Sequence, residues 1–246
     1  MNTDDLTHDA FLGGRLHLWQ PRTGYRAGVD PVLLSATIPA VSGQRVLELG
    51  CGVGAAILCL AARVPALELT GVEREPTYAN LAERNGDGIL AVVTADIAAL
   101  PLTLRQRQFD HVLANPPYWR RDASVATAHA VREVALGEQT PLEVWIKTAA
   151  KRLAPKGQLH VIHRAERLPD LIAALPADMG SIEVLPIAAR QGRAAERIIL
   201  RARKSGRADF RLSAPLILHR GAGHVDGDQF TDEVRSVLRA GAALTF

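Results

Sequence analysis

The chain has 246 residues, 48% of them hydrophobic and 22% charged, enough to bury a sizeable core and too apolar for a disordered chain. Its longest apolar run, Val53 to Ala62, falls well short of the roughly 20 residues of a membrane-spanning helix. The first residues, with Asp4, Asp5 and Asp9, lack the basic and apolar regions of a secretory signal, so a cytoplasmic protein is expected.

Along the chain, Phe11–Leu12 and Arg15–Gln20 flank Gly13-Gly14 and predict a small hairpin, since a two-glycine turn supplies positive φ. Asp30-Pro31 reads as a helix start, with Asp as cap and Pro at the first helical position. A strand (Arg45–Leu49), a glycine loop, a helix (Ala55–Arg63), a strand (Glu68–Glu73) and a helix (Pro76–Arg84) follow in βαβ rhythm. Further strands are expected at Ile89–Thr94, Phe109–Ala114, Gln158–His163, Ile182–Ile187 and Arg197–Ala202, with helices at Pro141–Leu153 and Arg167–Leu175. The pattern predicts an α/β three-layer sandwich with a seven-stranded, mostly parallel sheet, only the last strands being antiparallel.

A single domain spanning 1–246 is expected. It comprises an N-terminal hairpin and helix extension (1–40), a core (41–204) and a C-terminal basic segment with a short strand, Leu216–His219, and a helix, Thr231–Ala240 (205–246). Net charge is +3, yet between Arg190 and Arg220 nine basic residues face two acids. That excess suits a polyanionic partner as well as a solvated surface. Cys51 and Cys59 would stand about 12 Å apart on a helix, beyond disulfide reach. They form no structural zinc pattern, and no metal is expected.

The chemistry concentrates at strand ends. Gly50, Gly52 and Gly54 follow an apolar strand and precede a helix, so the backbone can turn sharply and approach a ligand. The spacing is one residue short of the dinucleotide pattern. Glu48, just ahead of the first glycine, would repel a pyrophosphate and suits a cationic ligand. Glu73 ends the next strand, where a carboxylate can accept from both hydroxyls of a ribose. Asp96 follows the third strand, within reach of the exocyclic amine of an adenine. Each acid alone is more often a helix cap or a solvated residue; in this order on successive strands they favour S-adenosylmethionine, with S-adenosylhomocysteine as product.

The fourth strand runs into Asn115-Pro116-Pro117-Tyr118. An amino nitrogen conjugated to a ring or carbonyl is a poor nucleophile, and a site must hold its N–H groups so that its lone pair faces the methyl. The Asn115 side-chain oxygen and the Pro116 carbonyl can accept those hydrogens, the prolines stiffen the turn, and Tyr118 offers a face for stacking. In isolation the tetrapeptide is also an ordinary strand-ending turn.

Glu48-x-Gly50-x-Gly52-x-Gly54, Glu73 and Asp96 resemble the first three cofactor motifs of Rossmann-like class I S-adenosylmethionine-dependent methyltransferases. Glu48 stands in place of the more usual Asp. The tetrapeptide resembles that of amino-group methyltransferases acting on adenine N6, guanine N2 or protein glutamine. The resemblance implies that no general base is needed, so none is assigned to His111 or His129. The stretch from Gln20 to Leu34, with Tyr25 and Asp30, resembles the N-terminal motif of bacterial adenine-N6-methyltransferases that modify a valine tRNA. There the motif packs beside the methionine end of the cofactor. The resemblance also brings Cys51, Arg74 and Ile97 into the cofactor set.

The expected reaction is methyl transfer to an exocyclic amine, most naturally adenine N6 of a structured RNA such as tRNA, by a monomer or homodimer. Guanine N2 of rRNA and protein glutamine N5 are the alternatives within the enzyme class. The last is disfavoured because only 44 residues precede Arg45, too few for the helical domain such enzymes carry. A non-enzymatic reading is a cofactor- and RNA-binding module without turnover. Arg120, Arg121, Arg201, Arg203 and Arg207 are the candidate RNA contacts.

Overall fold

The computed structural model describes residues 5–118, 140–221, 223 and 229–246. Strand alternation divides the core in two. In β3 (Arg45–Leu49), Val46 faces one side of the sheet and Leu47 and Leu49 the other, because successive strand residues point to opposite faces. One face is covered by α1 (Val29–Ala36), α2 (Ala55–Arg63) and α3 (Pro76–Gly86), the other by α5 (Leu142–Arg152) and α6 (Leu168–Ala174), with the short α4 (Leu102–Arg105) beside them.

The sheet order is β5 (Leu90–Thr94), β4 (Glu68–Glu73), β3, β6 (Phe109–Ala114), β7 (Leu153–Arg164), β9 (Ala195–Lys204) and β8 (Met179–Ala188). β3 to β7 are parallel, and β9 runs antiparallel to both β7 and β8. This is the expected three-layer α/β sandwich. Two-residue strands β10 (Arg211–Leu212) and β11 (Leu216–Ile217) add to the outer edge of β8, giving nine strands among the described residues rather than seven.

Two elements differ most in extent. The hairpin pairs β1 (Leu6–Phe11) with β2 (Leu16–Pro21), so its first strand begins earlier than the glycines suggested. Thr7, His8 and Asp9 are polar, and the hydrophobic pattern does not mark them. β7 starts at Leu153 because Pro155-Lys156-Gly157, a turn by composition, is absorbed as an irregularity opposite a register shift between Phe109 and His111.

The terminal helix α7 (Asp232–Ala240) buries Val234 and Val237 against the first face. Thr231 caps it and Gly241 ends it in the left-handed conformation. His111 and His160 lie buried between β6 and β7. Gln44 can offer His111 Nε2 only its Oε1 (3.1 Å), so that nitrogen carries the proton, and Nδ1 accepts from His160 Nε2 at 3.1 Å. Burial pushes His111 down to about 4 and His160 well below its ordinary range.

Candidate active site

At the carboxyl ends of β3, β4 and β6 a cavity of about 680 Å³ opens under the segment 24–31, where open α/β sheets bind ligands. It gathers Tyr25, Asp30, Glu48, Gly50, Cys51, Gly52, Glu73, Arg74, Asp96, Ile97 and the whole tetrapeptide Asn115 to Tyr118. Of the expected cofactor residues, Gly54 alone does not line it. Gly54 starts α2 at φ +83°, and a Cβ there would press on Leu58 and Leu90 at 3.2 Å. Its work is to turn the chain into the helix. Gly50 is constrained twice, by φ +64° and by Trp145, whose ring edge lies 2.5 Å from where a Cβ would stand.

The carboxylates on this side are held by the main chain. Glu73 Oε2 accepts from Gly52 N (2.8 Å) and Oε1 from Glu75 N (2.9 Å), which leaves one lone pair on each oxygen for a diol. Asp96 Oδ1 accepts from Ala98 N (2.8 Å) and caps the following turn, and Oδ2 has no such bond among the described residues. Glu48, 3% exposed, accepts from Ile57 N at 3.0 Å. Burial first and the charge of Glu73 second push its carboxyl up to about 8, against the pull of the Ile57 amide. A cation bound beside it favours the ionised form. Arg74 lies at the rim in an ion pair with Glu75. Burial and the same two acids raise the Cys51 thiol, keeping it neutral.

On the β6 side the contacts are between side chains. Tyr118 donates its hydroxyl to Asp30 Oδ2 at 2.6 Å, and Arg197 of β9 pairs with Asp30 Oδ1. The Tyr118 ring stands 5.3 Å from that of His163, tilted by 47°. Overhead, Tyr78 of α3 clasps the backbone of Tyr25: its hydroxyl accepts from Tyr25 N (3.0 Å) and donates to Tyr25 O (3.3 Å).

The sequence did not mark Trp145, Tyr78 or Arg197 as site residues. Trp145 reads as the apolar face of an amphipathic helix, and its Nε1 has no hydrogen-bond partner among the described residues. Arg197 was visible only as one of nine clustered basic residues. The expected RNA contacts fare differently. Arg120 and Arg121, like His129, lie outside the described residues. Arg201 is committed to Glu183 and stacks on Phe246 at 4.5 Å, so its guanidinium is a tether for the C-terminus. Arg203 pairs across the sheet with Gln158, whereas Arg197 pairs with Arg164 at the cavity end. Six strand residues, ~20 Å, separate the two. Arg203 and Arg207 therefore lie towards the opposite end of the sheet.

A family model, Methyltransferase small domain, matches residues 28–185. The chain belongs to that family. It is a methyltransferase dependent on S-adenosylmethionine, and the expected fold holds. Among its relatives, the tRNA1(Val) (adenine(37)-N6)-methyltransferase of Porphyromonas gingivalis is 33% identical over 175 residues, 66% of this chain and 68% of that one. The enzyme of the same name from Actinobacillus succinogenes is 27% identical over 198 residues, 78% and 82% of the two chains. A crystal structure described as that of a predicted O-methyltransferase from Agrobacterium tumefaciens superposes with a TM-score of 0.71 at 29% identity, covering 88% of this methyltransferase and 99% of that chain. A Thermus thermophilus 16S rRNA N2 methyltransferase shares the fold, with a TM-score of 0.56 at 21% identity over 81% and 50% of the two chains.

Proposed function

We propose that this methyltransferase transfers a methyl group to an exocyclic amino nitrogen, with adenine N6 of a tRNA as acceptor. The carrying observation is that Asn115-Pro116-Pro117-Tyr118 opens into the same cavity as Glu73 and Asp96. Bound S-adenosylmethionine supplies an electrophilic methyl on a sulfonium. Glu73 would hold the ribose, Asp96 the adenine, and Glu48 would face the cationic part, while Gly50 and Gly52 let the backbone come close. Asn115 Oδ1 and the Pro116 carbonyl accept the two hydrogens of the acceptor amine and turn its lone pair to the methyl. The nitrogen forms the new bond as the carbon–sulfur bond breaks. The proton leaves to water afterwards, so no base is required.

A hydroxyl acceptor has one hydrogen and needs a base before attack. The phenol beside Asn115 is already donating to Asp30, and its hydroxyl is raised further by burial and that carboxylate. The Asn-Pro carbonyl pair suits an amine. The tRNA assignment draws on the names of the relatives, and the cytoplasmic location follows from that substrate.

The test is transfer of labelled methyl into RNA from a strain lacking this gene, read by nucleoside mass spectrometry, with Asn115→Ala as control. N6-methyladenosine formed by the wild type alone supports the reading. Label in N2-methylguanosine or in protein glutamine replaces the acceptor. Cofactor binding without any transfer leaves a binding module.

A further inference from the structure

Asp30 occupies the first turn of α1, where a carboxylate usually accepts from the helix's own amides or faces water. Here it does neither. Its side chain is 17% exposed, and the helix start carries no side-chain cap. Both oxygens go instead to residues far off in sequence, Oδ2 to the Tyr118 hydroxyl and Oδ1 to Arg197. Arg197 comes from β9, beyond the residues matched by the family, and lines the cavity beside the tetrapeptide.

Taken with the reading of the tetrapeptide above, on which it rests, we infer that the Asp30–Arg197 pair is a positioning device that sets Tyr118 as the acceptor wall of the site. Two physical arguments carry it. The first is geometric. Two prolines fix the backbone before Tyr118, but its ring still turns about its side-chain bonds, and a stacked base turns with it. Anchoring the hydroxyl to α1, with the His163 ring at 5.3 Å, leaves one ring orientation. The second is electrostatic. Glu48, Glu73, Glu75 and Asp96 already line the cavity, and a further uncompensated carboxylate in the same cavity as Asn115 would compete for the amine hydrogens of the acceptor. Arg197 offsets that charge, and each oxygen already accepts one bond. Negative potential then stays on the donor side of the cavity.

The device acts through Tyr118, so its signature is a change in turnover without one in donor binding. Tyr118→Phe, Asp30→Asn and Arg197→Met are expected to lower kcat on tRNA from a strain lacking the gene by about 10- to 100-fold. The Kd for S-adenosylhomocysteine, by calorimetry, stays within about twofold, in line with contacts lying outside the donor half. Arg197→Lys, which keeps one donor for Asp30, recovers most of the activity. Asp30→Ala adds nothing in a Tyr118→Phe background, because both remove the Tyr118–Asp30 bond. Unchanged kcat, a loss that falls on donor affinity, or multiplicative single effects would each overturn the inference.

The three tyrosines permit a readout without any acceptor. In protein carrying ring-labelled tyrosine, the Tyr118 Cζ resonance should move in Asp30→Asn and Arg197→Met and return in Arg197→Lys. A wild type that methylates no tRNA sinks the acceptor reading alone. The positioning role is then decided by that resonance, and one unmoved by either variant overturns it.

Discussion

On the donor side of the cavity, the carboxylates of Glu73 and Asp96 are fixed by main-chain amides, Glu73 by Gly52 and Glu75 and Asp96 by Ala98. On the acceptor side, Tyr118 is fixed by Asp30, 88 residues away, and Asp30 by Arg197, 167 residues away. The first arrangement follows once β3 and β4 pair and their ends turn into loops, since the amides are supplied by any sequence able to adopt those turns. The second exists only when three distant segments have assembled. A donor pocket of this kind resists most substitutions outside its acids and glycines, whereas the acceptor pocket is sensitive to changes remote in sequence.

The sharpest break between the two sides is Asn115→Ala. It should lower kcat about 10²- to 10³-fold, as for loss of a transition-state contact, with donor Kd unchanged by calorimetry. Equal loss of both would merge the two halves. Glu73→Ala is the converse: donor Kd should rise about 10- to 100-fold, the scale of hydrogen bonds to a charged group, with a smaller loss of kcat at saturating donor.

Next comes Glu48. Its carboxyl is pushed up to about 8 from an ordinary 4.5, so between those values it is protonated in the folded, ligand-free enzyme and ionised in the unfolded chain. Folding takes up a proton there, and the stability tied to this group is full below about 4.5 and lost as pH rises to about 8. The melting temperature of the wild type relative to Glu48→Gln should therefore fall by a few degrees across that window, measured by calorimetry without cofactor. A flat difference would return Glu48 to a solvated acid.

The smallest effect is expected far from both halves. Arg203→Glu with Arg207→Glu should change tRNA affinity less than about twofold at physiological salt, because ~20 Å is about two and a half screening lengths along the surface. A larger loss with a shallower salt dependence would extend the RNA footprint to that end of the sheet.

The same contrast explains what could be read from the chain. The strand, glycine loop and acid at Glu48, Glu73 and Asp96 are local signals: each sits at the end of a hydrophobic run, so motif and place come together. Asn115 to Tyr118 is local too, and its place at the end of β6 followed from strand order. Arg197 could not be singled out, because its membership of the site depends on β9 running antiparallel to β7 with Arg197 at the cavity end. The same register places Arg203 and Arg207 towards the other end of the sheet. The ion pair of Arg201 was hidden for a related reason: its partner Glu183 lies on β8, which only the sheet brings beside it. Gly54 belongs to the motif by spacing, yet serves the start of α2 rather than the cavity. Polar strand residues 7–9 were missed because pairing by backbone amides needs no apolar alternation.

The Tyr78 clasp holds the roof of the cavity by the main chain of Tyr25, not by its side chain. The residue at position 25 could thus be exchanged without loosening the roof, and the ring that lines the cavity can be altered separately from the hinge that retains it. Tyr78 carries the opposite burden. Its single hydroxyl makes both bonds, and losing it would free the main chain of Tyr25, while Ala27 N donating to Gln20 Oε1 and Arg26 paired with Asp9 still hold the residues after it, quickening the departure of the spent donor before it touched the methyl transfer itself.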